Sequence, residues 1–176
     1  MKILAFSGSN SSSSINKQLV KFALKSYVDD DINLIDLNDY AMPIFSVDLE
    51  KSGFPNEAHQ FLNQIEECDA IICSLAEHNR SYTVAFKNLF DWTSRVNAKL
   101  FQNKPMFLMA TSPGGFGGGN VLQTAKTFFP QFGADIIENF SLPKFYENFD
   151  VDNGIILPEK LEEFNEKTQS FKNSFN

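Results

Sequence analysis

The stretch Met1–Asn16, MKILAFSGSNSSSSIN, decides the fold. Ile3 to Phe6 are consecutive apolar residues and read as a short buried strand. Ser7, Gly8, Ser9 and Asn10 follow, then a run of serines from Ser11 to Ser14. A helical pattern begins after it, with Ile15, Leu19, Phe22 and Ala23 on one face. A strand, a small-residue turn and a helix make a pocket for an anion. The first turn of a helix carries N–H groups without intrahelical partners, and its dipole end is partly positive. Small residues let the backbone approach a phosphate, and serine hydroxyls add donors. The same residues also read as a serine-capped helix start in an ordinary α/β protein. Several hydroxyls crowd one turn, more than a single cap needs, and this favours the phosphate.

Outward from this stretch, strands and helices alternate without an internal sequence repeat. Helix is expected from Ser14 to Tyr27, and a second strand from Ile32 to Leu37. Asn38 to Pro55 is a long turn-rich loop, of the kind that is often functional or interfacial. A helix starts at Asn56, with Ala58, Phe61, Leu62 and Ile65 inward. Asp69 to Leu75, DAIICSL, is an almost unbroken apolar run and so a central parallel strand. Ala76 to Ser81 is a polar loop, and Tyr82 to Val96 a helix. Met106 to Ala110 is a fourth strand, followed by TSPGGFGGGN, Thr111 to Asn120. Helix is expected over Val121 to Phe132, a fifth strand over Ala134 to Glu138, an irregular stretch, and a last helix from Pro158 to about Phe171.

Strands alternating with helices imply a parallel sheet covered on both faces, built as one domain over residues 1–176. In such sheets ligands bind beyond the carboxyl ends of the strands. The loops SGSNSSSSIN, AEHNRSY and TSPGGFGGG all end there. The first is neither G-x-G-x-x-G nor a Walker loop, which argues against a Rossmann-bound dinucleotide or ATP. It offers no cation before Lys17, so an anion there depends on N–H groups, hydroxyls, the Asn16 amide and the helix dipole. The third suits a flat ligand, because backbone without Cβ atoms can lie against a ring edge; it also reads as a plain flexible turn.

Composition excludes several classes. A net charge of −7 opposes general nucleic-acid binding and polybasic membrane attachment. No apolar run approaches a membrane span and no signal-peptide pattern opens the chain, so a cytoplasmic location is the default. Cys68 and Cys73 show no metal-ligand spacing with His59 or His78. No G-x-S-x-G elbow accompanies a Ser–His–Asp order, which argues against hydrolase chemistry. Nineteen phenylalanines supply core material and leave some for an interface or a flat ligand.

The order S-G-S…S-x-N after the first strand, E-x-N…K-N-x-x-D-W after the third and S-P-G-G-F-G-G after the fourth resembles the NADPH-dependent FMN reductase family. The resemblance covers about residues 2 to 140. It implies a flavodoxin-like, doubly wound five-stranded sheet of order 2-1-3-4-5. It implies that Ser9, Ser14 and Asn16, with the Ile15 amide, hold the FMN phosphate, Ser11 standing where the family usually carries arginine. Glu77, His78 and Asn79 occupy the loop whose backbone contacts the isoalloxazine ring, followed by Arg80. His78 replaces the family's tyrosine. Ser112, Pro113, Gly114 and Gly115 match the loop on the ring's other side. Lys87, Asn88, Asp91 and Trp92 match a mostly structural helix motif near a dimer contact.

The implied activity is transfer of a hydride from NADPH or NADH through FMN to a small acceptor such as a quinone or free flavin. No acid–base catalytic side chain is expected and no metal, since the cofactor carries the chemistry. The alternative is an FMN electron carrier or regulatory module without nicotinamide turnover. Association as a homodimer or homotetramer is expected from the same resemblance.

Overall fold

The computed structural model describes residues 1–175. The central sheet contains β1 (Lys2–Gly8), β2 (Asp31–Leu34), β3 (Ala70–Leu75), β4 (Pro105–Thr111) and β5 (Asp135–Leu142). All neighbours run parallel, in the order β2-β1-β3-β4-β5. The longer helices are α1 (Ile15–Leu24), α2 (Asn56–Glu67), α3 (Val84–Val96), α4 (Gly119–Phe128) and α5 (Pro158–Asn173).

The pleat sorts the apolar runs into two cores. Leu4 and Phe6 of β1, Ile71, Cys73 and Leu75 of β3, and Met106 and Leu108 of β4 face α2, α3 and α4. Ile3 and Ala5, Ala70 and Ile72, and Phe107 and Met109 face α1 and α5. The central strands are therefore apolar at nearly every position, because both faces are covered. The phenylalanines are mostly core: Phe6, Phe61, Phe101, Phe107, Phe129, Phe140, Phe164 and Phe171 are fully buried. This is the doubly wound, flavodoxin-like fold.

Several boundaries differ from the sequence expectation. Ser14 is the cap of α1 and not its first residue, and the helix stops at Leu24. The last turn to Tyr27 is a series of tight turns. β2 ends at Leu34 and β5 runs on to Leu142. An extra residue in β5 shifts its register between Met106 and Phe107 of β4. The loop 76–81 carries a two-residue hairpin, Glu77–His78 against Ser81–Tyr82. α3 begins after Thr83, whose hydroxyl accepts from Phe86 N–H at 3.1 Å and donates to Gly8 C=O at 2.9 Å. After β5 the irregular stretch is a short helix, Phe145–Asn148, and a hairpin pairing Phe149–Asp150 with Gly154–Ile155.

The long loop 38–55 is tied down by α3. Asn88 donates to Met42 C=O and Pro43 C=O, both at 3.1 Å, and accepts from Phe45 N–H at 2.8 Å. Trp92 Nε1 donates to Pro43 C=O at 2.8 Å, and the Phe45 ring meets Trp92 edge-on at 5.0 Å. Asn88 thus satisfies backbone groups that the loop has no ladder to satisfy. Asn88→Ala is expected to cost about 2 kcal/mol in urea unfolding and to speed amide exchange at Phe45 selectively. Unchanged exchange at Phe45 refutes the anchoring role.

Candidate functional site

The loops after β1, β3 and β4 meet over the carboxyl edge of the sheet. They enclose a cleft of about 290 Å3. The first loop contributes Ser9, Ser11, Ser13, Ser14, Ile15 and Asn16 to its lining. The second contributes Ala76, Glu77 and His78, and the third Thr111, Ser112 and Pro113. Tyr146, from the short helix after β5, completes it.

The first loop is shaped by its own hydroxyls. Ser9 Oγ accepts from Ser11 N–H at 3.2 Å, and Ser14 Oγ caps α1 by accepting from Lys17 N–H at 3.2 Å. The first helical bond runs from Gln18 N–H to Ser14 C=O, so the N–H groups of Ile15 and Asn16 have no intrahelical partner. The Ser11 and Ser13 hydroxyls face each other at 3.4 Å. Lys17 does not reach the cleft: its ammonium pairs with Asp36. That hydrogen bond, with a second from Asn38 N–H, holds the Asp36 carboxyl below the usual range. Neither lysine nor arginine lines the cleft.

Asn16 departs from its expected role. The residue is only 2% exposed. Its Nδ2 donates to Thr111 C=O at 3.1 Å, and its Oδ1 accepts from Thr111 N–H at 3.0 Å and Ser74 Oγ at 2.7 Å. The amide expected to reach a phosphate is instead spent on clamping α1 to the ends of β3 and β4. What Asn16 offers the cleft is its backbone N–H.

Glu77 is committed in the same way. Its Oε1 accepts from Asn120 Nδ2 at 3.0 Å and its Oε2 from Val121 N–H at 2.9 Å, at the start of α4. A carboxylate there satisfies an orphan donor and complements the helix dipole. It also fixes the second loop relative to the glycine-rich one. Asn79 and Arg80 form the hairpin tip, with φ of 51° and 65°, exposed and outside the lining of the cleft.

In the third loop, Ser112 and Pro113 line the cleft while Gly114 and Gly115 lie exposed beyond it. A Cβ on Gly115 would meet nothing within 4 Å, so bare backbone is open to approach there. Gly117 is different. Its φ is +59°, and a Cβ would stand 2.9 Å from Pro143 N, so this glycine is needed for close packing on the segment after β5. That segment is zipped to the loop by Lys144 N–H to Gly114 C=O at 2.9 Å and Phe145 N–H to Ser112 C=O at 3.1 Å. These bonds place Tyr146 at the cleft. Ser13, Ala76, Thr111 and Tyr146 were not singled out by sequence. The first three neighbour the motifs, but Tyr146 carries no local signal of its position.

A second cleft, of about 310 Å3, adjoins at His78. Its walls include Leu37, Tyr40, Met42, Ile44 and Val84. The Asn88 amide and the Thr83 hydroxyl there are already bonded within the protein. This cleft is therefore a mostly apolar slot beside the polar one.

A 2-1-3-4-5 parallel sheet with a polar cleft at the α1 N-terminus defines a flavodoxin-like protein. Residues 1–147 match the family described as NADPH-dependent FMN reductase, and the chain belongs to that family. It is 32% identical over 118 residues to an NAD(P)H-dependent FMN reductase of Pseudomonas aeruginosa, covering 66% of this chain and 63% of the relative. It is 32% identical over 124 residues to an NADPH:quinone oxidoreductase of Arabidopsis thaliana, covering 68% and 61%. The matched region thus spans less than two thirds of these relatives' length. Among solved structures, the flavoenzyme NAD(P)H:(acceptor) oxidoreductase FerB of Paracoccus denitrificans superposes with a TM-score of 0.75 at 23% identity, covering 97% of this chain and 94% of that one.

Asn16→Ala is expected to lower stability by about 3 kcal/mol, because it leaves the Thr111 peptide and the Ser74 hydroxyl unpaired in the core. Equilibrium urea unfolding measures it. A loss below about 1 kcal/mol removes the clamp from the account.

Proposed function

We propose that this chain is an FMN-dependent NAD(P)H oxidoreductase acting on a small acceptor such as a quinone or a free flavin. The observation that carries this reading is the meeting of the three loops over a cleft whose floor is the open N-terminus of α1. The donors suit a phosphate tail: the Ile15 and Asn16 N–H groups, and the hydroxyls of Ser9, Ser11, Ser13 and Ser14. Ala76 to His78 and Ser112 to Gly115 flank the space beyond, where a planar ring fits against exposed backbone.

Hydride acceptance from a nicotinamide and onward reduction of the acceptor are the chemistry that FMN supplies when bound. The chain's own residues bind and orient. Ser14 and the α1 N–H groups hold the anionic end. Asn16 and Glu77 fix the loops so that donors point at the ligand without reorganising. Tyr146 lines the cleft together with the serines. His78 stands at the passage between the polar cleft and the apolar slot, where an acceptor approaches. No side chain is asked to move a proton.

The chain works as one FMN-binding unit in the cytoplasm. Among the described residues no helix is long and apolar enough to cross a membrane. We place the contact of a homodimer or tetramer at α3 and the loop it anchors, where Ile44 is 75%, Val47 65% and Val84 71% exposed. Apolar side chains this exposed and this close together favour burial against a second copy.

Flavin fluorescence titration and NAD(P)H oxidation with a quinone test the reading. A protein that takes up no FMN and oxidises no nicotinamide refutes it. Because the cleft lacks a cation, Ser11→Arg is expected to tighten FMN binding about tenfold at low salt, with less gain at high salt. Riboflavin, which has no phosphate, serves as the control and gains nothing.

A further inference from the structure

Among the described residues, nothing pairs with the charge of Arg80. The chain has two arginines, and Arg95 is bound by Glu50 through Nε at 2.7 Å and Nη2 at 3.3 Å. The Arg80 guanidinium has no ion pair or hydrogen bond among the described residues. It stands at the tip of the Glu77–Tyr82 hairpin, two residues from His78. Its backbone is also in an unfavourable region. Asn79 and Arg80 both have positive φ, 51° and 65°, as a tight hairpin turn demands. Asparagine tolerates the first position, and the second is normally glycine, because a Cβ there is crowded. A long cation occupies it here, at a cost in stability that the fold gains nothing from.

Arg80 lines a shallow groove of about 430 Å3 that runs along α4 from Gly119 to Phe128. Phe116 and Phe128 flank that groove and are 66% and 48% exposed. The Phe116 ring is seated, not loose: it lies over Gly119, where any Cβ would come within 2.7 Å of the ring. Gln123 is exposed along the same face, and its side-chain amide has no hydrogen bond among the described residues. A free guanidinium for an oxyanion, aromatic faces for a flat heterocycle and a primary amide for a ring edge form one recognition set.

We propose that this groove binds the adenosine 2′-phosphate end of NADPH, with Arg80 on the 2′-phosphate and the base lying in the groove against the exposed aromatic rings that line it. The proposal rests on the oxidoreductase reading and adds to it a residue that separates NADPH from NADH. Arg80 lies outside the FMN cleft, on the same hairpin as His78, which lines both the cleft and the slot.

The test uses the full chain and adenosine 2′,5′-bisphosphate, with adenosine 5′-monophosphate as the control, read by calorimetry without flavin or turnover. The wild type is expected to bind the bisphosphate at least tenfold more tightly than the monophosphate. Arg80→Gly is expected to abolish that difference while keeping or raising the melting temperature, since glycine relieves the turn. In steady state, the same variant loses at least tenfold in the NADPH/NADH ratio of kcat/KM. Equal binding of the two nucleotides by the wild type, or a difference retained in Arg80→Gly, overturns the proposal. So does a Phe128→Glu variant that turns a dimer into a monomer and leaves bisphosphate binding intact, since the groove then belongs to a second copy. FMN uptake is measured separately, so failure of the oxidoreductase reading is distinguishable from failure here.

Discussion

The pairing of the Asn16 amide with the Thr111 peptide is the contact on which the site depends. One planar amide matches one peptide group, N–H to C=O and C=O to N–H, and takes a third bond from Ser74. The helix that follows β1 is thereby locked to the ends of the two strands beside it. All of these atoms are buried, so each bond acts in a low-dielectric setting and each loss leaves an unpaired group. The position of the α1 N-terminus, and of every donor it presents, follows from this lock.

The same division of labour recurs around the cleft. Glu77 holds the start of α4, Thr83 joins the start of α3 to the end of β1, and Asn88 holds the long loop. Polar side chains at the motif positions are spent on the scaffold. What remains open at this edge is backbone N–H groups, small hydroxyls and, beyond the cleft, bare glycine surface. Donors held by such bonds are preorganised and lose little freedom on binding.

The fold was legible because its central strands are covered on both faces. Near-continuous apolar runs such as DAIICSL leave a parallel sheet as the economical reading, and the small-residue turn after β1 marks its ligand edge. The serine loop and Ser112–Pro113 fall in the cleft because they sit directly at strand ends. The rest was less legible for specific reasons. Asn16 and Glu77 are polar residues in binding motifs, and spacing does not tell a side chain that touches a ligand from one that bonds its own backbone. The hairpin at Glu77–Tyr82 is only two residues per strand, too short for an alternating pattern. Tyr146 reaches the cleft through backbone bonds between Lys144–Phe145 and Ser112–Gly114, a long-range pairing with no local signature. The bulge in β5 hid half of that strand, since an extra residue breaks the period on which the expectation rests.

The placement of charge gives the site its last constraint. The chain carries a net charge of −7, so an anionic ligand approaches against the field of the whole molecule. Lys17, the first cation after the serine loop, is neutralised by Asp36. Attraction in the inner cleft therefore comes from oriented N–H groups and serine hydroxyls, whose effect is short-ranged and little screened by salt. That arrangement suits a resident group that enters once and stays. A nucleotide that must arrive and leave at every turnover is served by an exposed charge, which raises the rate of encounter. Arg80, free and outside the cleft, is a charge of that kind.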